Sequence, residues 1–253
     1  MNLSTPKARK ILYNNTIAKK IFGFLKGRSF SKFYNFNHLS LVESQALNGS
    51  ICRDEALFIF SLIKMIRPKV VVEFGFARGH SALNVLTAID KDAKLYSFDI
   101  AEFSRKTAEA VFNQHKNFHF RFKSQLDFTP EDVHNQKIDL VYFDAVYDRN
   151  INMATFEKLK SSLSDESIIM LHDTNVWKKT LMDDAHISYA SKKPNDWLNE
   201  NEFQSQKGQR EFFNDFLEKF PEYAAVTLHS SNIPLLSGIS LLQKKKVLKT
   251  QYE

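Results

Sequence analysis

Five short, mostly apolar runs divide the middle of this chain into regular units. They lie at 69–74, 95–99, 118–122, 138–143 and 167–172, and segments with helical spacing, such as 56–66 and 80–89, separate them. Short runs rich in β-branched and aromatic residues predict strands, so the pattern predicts strands alternating with helices. Units of that kind build a mainly parallel sheet that is covered by helices on both faces.

The last part of the chain predicts how this sheet ends. Residues 224–230 and 238–244 have strand character, and a short loop containing Asn and Pro joins them, which is typical of an antiparallel hairpin. The fold class is therefore α/β, a Rossmann-like doubly wound sheet of seven strands, mainly parallel, with a C-terminal antiparallel hairpin. We predict one such domain over 51–253, with a polar, lid-like insertion at about 174–207 flanking the active site.

The positive charge of the chain is concentrated at its start. Residues 1–42 hold eight Lys and Arg and no Asp or Glu, which is more than the whole net charge of +6. Apolar residues recur between these lysines at helical spacing, so residues 1–50 are predicted to form a basic amphipathic arm. The arm could contact an anionic membrane, its own domain or a second subunit. Charge confined to one arm argues against a nucleic-acid-binding protein.

No run approaches the roughly 18 apolar residues that a membrane-spanning helix needs, and no secretory signal is recognisable at the start. We therefore expect a cytoplasmic protein.

A glycine-containing segment after the first strand carries the strongest functional signal. Glu73 ends the strand, Gly75 and Gly79 allow sharp turns, and Ser81 follows where a helix begins. Doubly wound folds bind ligands at this place, and the first helix amides can receive an anionic group. A dinucleotide would require G-x-G-x-x-G, whereas this segment has E-x-G-x-x-x-G-x-S. The spacing disfavours NAD.

This segment resembles the first motif of class I S-adenosylmethionine-dependent methyltransferases, in the variant of the catechol-type and macrolide or sugar O-methyltransferases (the methyltransferase-24-like branch). The resemblance covers about 50–175. It implies that Glu73, Gly75, Phe76, Gly79 and Ser81 surround the methionine part of S-adenosylmethionine.

An acid at the end of the second strand strengthens this interpretation. Asp99 follows Gly79 by 20 residues, where a carboxylate can accept both hydrogen bonds of a ribose diol. The alternative is a carboxylate that only caps the helix beginning at Glu102. The resemblance further implies that Ile100, Ser124 and Gln125 contact the adenosine.

Polar residues also close the fourth and fifth strands. Asp144 follows one strand, and His172 and Asp173 follow the other. In the family the acids matching Asp144 and Asp173 hold Mg²⁺ with an asparagine, but Thr174 stands in the asparagine's place. The resemblance also implies that Asp144 adjoins the cofactor.

The general base of the family is missing as well, because Tyr147 stands where relatives carry Lys or His. His172 is then the candidate base, since an imidazole accepts protons near neutral pH. From the sequence, Mg²⁺ at Asp144 and Asp173 and catalysis by His172 both stay open.

The resulting hypothesis is methylation of a hydroxyl on a sugar or another small-molecule or glycan acceptor. The alternatives are an NAD-dependent oxidoreductase on the same fold, a nucleic-acid methyltransferase, and a scaffold that binds the cofactor without turnover.

Overall fold

A computed structural model describes residues 51, 53–174, 200–228 and 238–246 of the 253-residue chain. The basic arm predicted at 1–50, residues 175–199 of the predicted insertion and the loop of the C-terminal hairpin lie outside the described residues. Within the described part, no helix is both long enough and apolar enough to cross a membrane.

Helices and strands alternate along the described chain. The helices are α1 (Arg53–Ile66), α2 (His80–Ala88), α3 (Glu102–Val111), α4 (Arg149–Leu159) and α5 (Glu200–Lys219). The strands are β1 (Val70–Phe74), β2 (Lys94–Asp99), β3 (Phe118–Phe122), β4 (Ile138–Phe143), β5 (Leu163–His172), β6 (Tyr223–Leu228) and β7 (Ile239–Lys244). Short turns of 3-10 helix lie at Gln125–Asp127, Pro130–Val133 and Lys160–Ser162.

All seven strands form one sheet in the order β3-β2-β1-β4-β5-β7-β6. The first five strands of the chain run parallel, and β7 is antiparallel to both β5 and β6. The chain moves outward from β1 to β3 and then returns to β4, so the strand order reverses between β1 and β4. Ligands bind in doubly wound sheets at the crevice outside this reversal. The predicted Rossmann-like fold with its antiparallel hairpin is confirmed.

The central strands β1 and β4 are mainly apolar and buried because helices cover both faces of the sheet. Val71 packs with α1 and α2 on one face, in a cluster that includes Ile59, Ile63 and Val85. Val70, Val72 and Phe74 point to the other face, where helices α4 and α5 contribute aromatic residues. Successive side chains of a strand alternate between faces, so burial on both faces produces a continuous apolar run.

Helix α5 begins inside the range that was predicted to be irregular. It starts at Glu200, whereas the insertion was predicted to continue to about 207. The first turns of this helix are polar and show no apolar stripe in the sequence, which explains the difference. Its later turns carry Phe212 and Phe216, both buried, and the ring of Phe216 lies 4.6 Å from that of Phe156 on α4.

Candidate functional site

The loop between β1 and α2 is shaped by two glycines in the left-handed region. Gly75 has φ +100° and Gly79 has φ +80°. The Gly75 amide donates to Phe98 O at 2.9 Å, and the Asp144 amide donates to Phe74 O at 2.9 Å, so the ends of β1, β2 and β4 are joined here. A Cβ on Gly75 would lie 2.3 Å from the carbonyl oxygen of Asp144. Gly75 therefore lets the β1 and β4 ends approach each other at the strand reversal.

Glu73 lies beneath this loop. Its side chain is fully buried, and its two carboxylate oxygens accept hydrogen bonds from Ser81 Oγ and Ser97 Oγ, both at 2.5 Å. Burial raises the pKa of Glu73 from 4.5 to about 7, although both serine bonds oppose the shift. Glu73 therefore braces the loop from below, and Ser81 is held by this bond at the start of α2.

Phe76 can offer a ligand its backbone but not its side chain. Its ring is buried and lies 5.1 Å from the ring of Phe112 and 5.3 Å from that of Phe120. The backbone of the loop between Gly75 and Gly79 is thus the part that can face a ligand, while the aromatic ring anchors the loop to the core.

Asp99 connects the first loop to the end of β2. Its Oδ2 accepts from the Ala77 amide and its Oδ1 from the Ala101 amide, both at 2.8 Å. Asp99 remains partly exposed, and each carboxylate oxygen has further acceptor capacity. Neighbouring Ile100 has 69% of its surface exposed. An orienting carboxylate beside an exposed apolar side chain suits a ribose attached to a flat base.

The two polar residues after β3 take different positions. Ser124 accepts a bond from the Leu126 amide and caps the short turn that follows. Gln125 is buried, and its amide nitrogen donates to Asn152 Oδ1 at 2.8 Å and to Thr155 Oγ1 at 3.0 Å. The Gln125 side chain therefore contacts α4, and Ser124 is the polar residue nearer the surface at this position.

The ends of β4 and β5 bring Asp144, His172 and Asp173 together, as the sequence predicts. His172 Nδ1 lies 3.0 Å from Asp144 Oδ1 and 3.4 Å from Asp173 Oδ2. The Tyr147 hydroxyl donates to Asp173 Oδ2 at 2.5 Å and lies 3.5 Å from Asp144 Oδ1. Asp173 is held at φ +54°, an uncommon backbone conformation for a residue with a side chain.

Glu55 completes this cluster and was not found by the sequence reasoning. It projects from the first turn of α1, where its Oε2 lies 3.1 Å from His172 Nε2 and its Oε1 accepts from the Gly238 amide at 3.1 Å. In the sequence it is one of two acids at the start of a helix, which is an ordinary pattern. Both ring nitrogens of His172 consequently face carboxylates.

The charges within the cluster influence one another. Burial alone would lower the pKa of His172, but the charges of Asp144 and Asp173 and the bonds to Asp144 and Glu55 raise it well above its usual value. Burial raises the pKa of Asp173 to about 6, opposed by the charge of His172. Burial, followed by the charges of Asp173 and Asp144, raises the pKa of Tyr147 well above its usual value. In the ligand-free cluster these interactions favour the imidazolium form of His172 and the protonated phenol of Tyr147.

Thr174 does not act as a substitute for the asparagine that the sequence resemblance implies. Its hydroxyl is buried and forms a hydrogen bond of 2.7 Å with Ser240 Oγ on β7. Asn175 lies outside the described residues. The polar groups that the structure brings to the β4 and β5 ends are thus two aspartates, one histidine and one tyrosine, with Glu55 behind the histidine.

Comparison with known proteins decides what kind of enzyme this site belongs to. A family model described as a methyltransferase domain matches residues 72–174, the segment that contains the first loop, Asp99 and the cluster at the β4 and β5 ends. The chain carries a methyltransferase domain. This confirms the enzyme class predicted from the first loop, and it favours the methyltransferase over the oxidoreductase alternative. No curated protein matches the chain in a sequence search.

Solved methyltransferase structures share the fold. A Staphylococcus aureus protein assigned as a caffeoyl-CoA O-methyltransferase is 18% identical, with a TM-score of 0.62 over 88% of this chain and 100% of its own. An O-methyltransferase from Bacillus cereus, solved with S-adenosylhomocysteine, is 16% identical, with a TM-score of 0.61 over 86% and 96%. The Streptomyces achromogenes O-methyltransferase of tomaymycin synthesis, solved with S-adenosylmethionine, is 14% identical, with a TM-score of 0.57 over 86% and 95%.

Proposed function

We propose that this methyltransferase transfers the methyl group of S-adenosylmethionine to a hydroxyl oxygen of a small-molecule or glycan acceptor. One observation carries the proposal: the Gly75 loop, Asp99 and the acidic cluster all lie at the carboxyl ends of neighbouring strands, where the strand order reverses between β1 and β4. The neighbouring structures named as O-methyltransferases, two of them solved with the cofactor or its product, support the same assignment.

The cofactor would lie across the ends of β1 and β2. In this position the loop backbone and the α2 amino terminus receive the methionine carboxylate, and Asp99 accepts the ribose hydroxyl bonds. Exposed Ile100 offers an apolar surface to the adenine, while Glu73 acts through Ser81 and Ser97 rather than by direct contact. Asp144, whose side chain is 13% exposed, ends the adjoining strand β4 and would be the acidic residue next to the sulfonium.

Methyl transfer requires an acceptor oxygen aligned with the sulfonium methyl. We assign Asp144 to this step, because its carboxylate can accept the hydrogen bond of the acceptor hydroxyl and take its proton as the O–CH₃ bond forms. The C–S bond breaks with its electron pair remaining on sulfur, so the positive charge of the sulfonium is neutralised. Alignment in a cleft that excludes water supplies much of the rate.

His172 is assigned a supporting role in this step. The sequence favoured it as the general base, but both of its nitrogens face carboxylates, so neither nitrogen is free for the acceptor, and its pKa is raised. Its proton and the Tyr147 hydroxyl hold Asp144 and Asp173 in fixed positions. Two carboxylates whose ligand atoms lie within 4.8 Å of each other would otherwise repel each other.

The cluster also fits a divalent cation. One oxygen of Asp173, Oδ1, is buried and has no hydrogen-bond partner among the described residues, and the ligand atoms of Asp144, His172 and Asp173 all lie within 4.8 Å of one another. Asp144 and Asp173 would hold the ion, as the sequence resemblance implies. A cation bound there would lower the pKa of a coordinated hydroxyl.

The acceptor is proposed from the polar character of the site. Asp144, Tyr147 and Asp173 are hydrogen-bonding groups grouped at one strand edge, which suits a hydroxyl-rich acceptor such as a sugar. The His172–Asp173 ending resembles that of relatives that methylate glycosides.

Replacing Asp99 with alanine tests the cofactor assignment. We expect S-adenosylhomocysteine to bind this variant roughly 5- to 150-fold more weakly, equivalent to about 1 to 3 kcal/mol, because the ribose hydroxyls lose a charged acceptor. Calorimetric titration with chelator present measures the affinity. Asp127→Ala is the matched control, since Asp127 is exposed and follows the neighbouring strand. Unchanged affinity in Asp99→Ala would remove Asp99 from the cofactor site, and binding of NADH instead would overturn the proposed function.

A further inference from the structure

Three potential metal-ligand atoms lie close together in the cluster. His172 Nδ1 lies 3.0 Å from Asp144 Oδ1 and 3.4 Å from Asp173 Oδ2, and the ligand atoms of the three residues lie within 4.8 Å of one another. One proton on Nδ1 forms a good hydrogen bond to only one of the two oxygens. A cation at the point shared by all three atoms would be bound by two carboxylates and one imidazole nitrogen.

Glu55 determines which nitrogen of His172 faces that point. Its carboxylate lies 3.1 Å from His172 Nε2 and is itself fixed by the Gly238 amide, also at 3.1 Å. A carboxylate cannot donate, so it keeps a proton on Nε2. When His172 carries a single proton, the lone pair of Nδ1 is therefore directed to Asp144 and Asp173. Histidines that bind metals usually have such a carboxylate or carbonyl behind them.

The geometry of Asp173 supports the same conclusion independently. Its backbone is held at φ +54°, and its Oδ1 is buried without a hydrogen-bond partner in the described part of the chain. Left-handed backbone at a residue with a side chain is unfavourable and is retained where the surroundings require it. The unpaired oxygen is one that a bound cation could use.

We propose that Glu55 is a positioning residue that directs His172 Nδ1 into this site as its third ligand, and that the site selects a first-row transition-metal dication over Mg²⁺. This inference rests on the proposed function for the role of the site in methyl transfer. Mg²⁺ prefers a shell of oxygens, whereas Mn²⁺, Co²⁺ and Zn²⁺ accept imidazole nitrogen together with carboxylates. The nitrogen ligand distinguishes this chain from the Asp, Asp and Asn arrangement that the sequence resemblance implied.

The preference for a transition metal over Mg²⁺ can be measured by titrating the metal-free protein with each ion. Visible absorption reports Co²⁺ binding, and calorimetry reports Mg²⁺ binding. We expect Co²⁺ to bind at least 10-fold more tightly than Mg²⁺. Glu55→Gln should weaken Co²⁺ binding about 10- to 100-fold. Its amide would donate to Nε2 and leave the proton on Nδ1, where it blocks the ligand atom. His172→Asn should reduce the ratio of Co²⁺ to Mg²⁺ affinity.

Asp54→Asn is the matched control, because Asp54 is the exposed neighbour of Glu55 on the same helix and should bind Co²⁺ like the wild type. S-adenosylhomocysteine affinity in chelator should be unchanged in Glu55→Gln, which separates positioning of the metal ligand from a general structural role. Absence of Co²⁺ binding, equal Co²⁺ and Mg²⁺ affinities, or unaltered Co²⁺ binding in Glu55→Gln would each overturn the inference. If S-adenosylhomocysteine still binds in those cases, the proposed function survives.

Discussion

Gly75→Ala is expected to lower the free energy of unfolding by about 4 kcal/mol and to abolish binding of S-adenosylhomocysteine. At φ +100° an alanine would be strained by about 1 to 3 kcal/mol. Its Cβ would also lie 2.3 Å from the Asp144 carbonyl oxygen and 2.6 Å from the carbonyl carbon, so backbone must move. That movement separates the ends of β1 and β4, where the cofactor and the acceptor are proposed to meet. Urea denaturation and calorimetric titration measure the two effects.

Gly79→Ala is the matched control for this prediction. Gly79 has φ +80°, and an added Cβ would meet the rings of Phe112 and Phe76 at 2.6 and 2.7 Å, which are side-chain atoms and not backbone. Rings can shift where a strand end cannot, so this variant should lose less stability than Gly75→Ala. Equal losses in the two variants, or cofactor binding retained by Gly75→Ala, would contradict the proposed approach of β1 to β4 at Gly75.

The sequence predicts the fold well because burial on both faces leaves a direct trace in the residue pattern. Val70, Val71 and Val72 point alternately to two cores, and the apolar run at 69–74 follows from that. The site residues at strand ends were predictable for a related reason. Parallel strands bring their carboxyl ends to one edge, so Asp99, Asp144 and Asp173 had to lie along it.

Side-chain contacts between segments that are distant in the chain produce no recognisable pattern in the sequence. Glu55 lies 117 residues before His172, and its role depends on which face α1 presents to the end of β5. Gln125 was predicted to face the adenosine, yet its side chain is directed to Asn152, which in turn donates to Gln209 on α5 at 2.7 Å. A polar residue after a strand can turn to the cleft or to a neighbouring helix, and only the packing of that helix determines which.

The buried carboxyl of Glu73 should make the stability of the protein depend on pH. Its pKa is raised from 4.5 to about 7, chiefly by burial, so the folded state favours the neutral form. The contribution of Glu73 to the free energy of unfolding is fully present below its unfolded-state pKa of 4.5. It is lost as pH rises through its folded-state pKa of about 7. Between about pH 5 and about pH 8 the loss should be about 2 to 3 kcal/mol. Glu73→Gln removes the ionisation and keeps groups that can bond Ser81 and Ser97.

Urea denaturation of the wild type and of Glu73→Gln at both pH values measures this contribution. The other titrating groups are common to both proteins, so their effect cancels when the free energy of unfolding of the variant is subtracted from that of the wild type. As pH rises, this difference should change by about 2 to 3 kcal/mol in favour of the variant. Glu218→Gln, on the exposed face of α5, should show no such change. If the difference between wild type and Glu73→Gln is the same at both pH values, Glu73 is ionised throughout, and its two serine bonds offset the cost of burial. The loop would then be braced by a charge over this whole range.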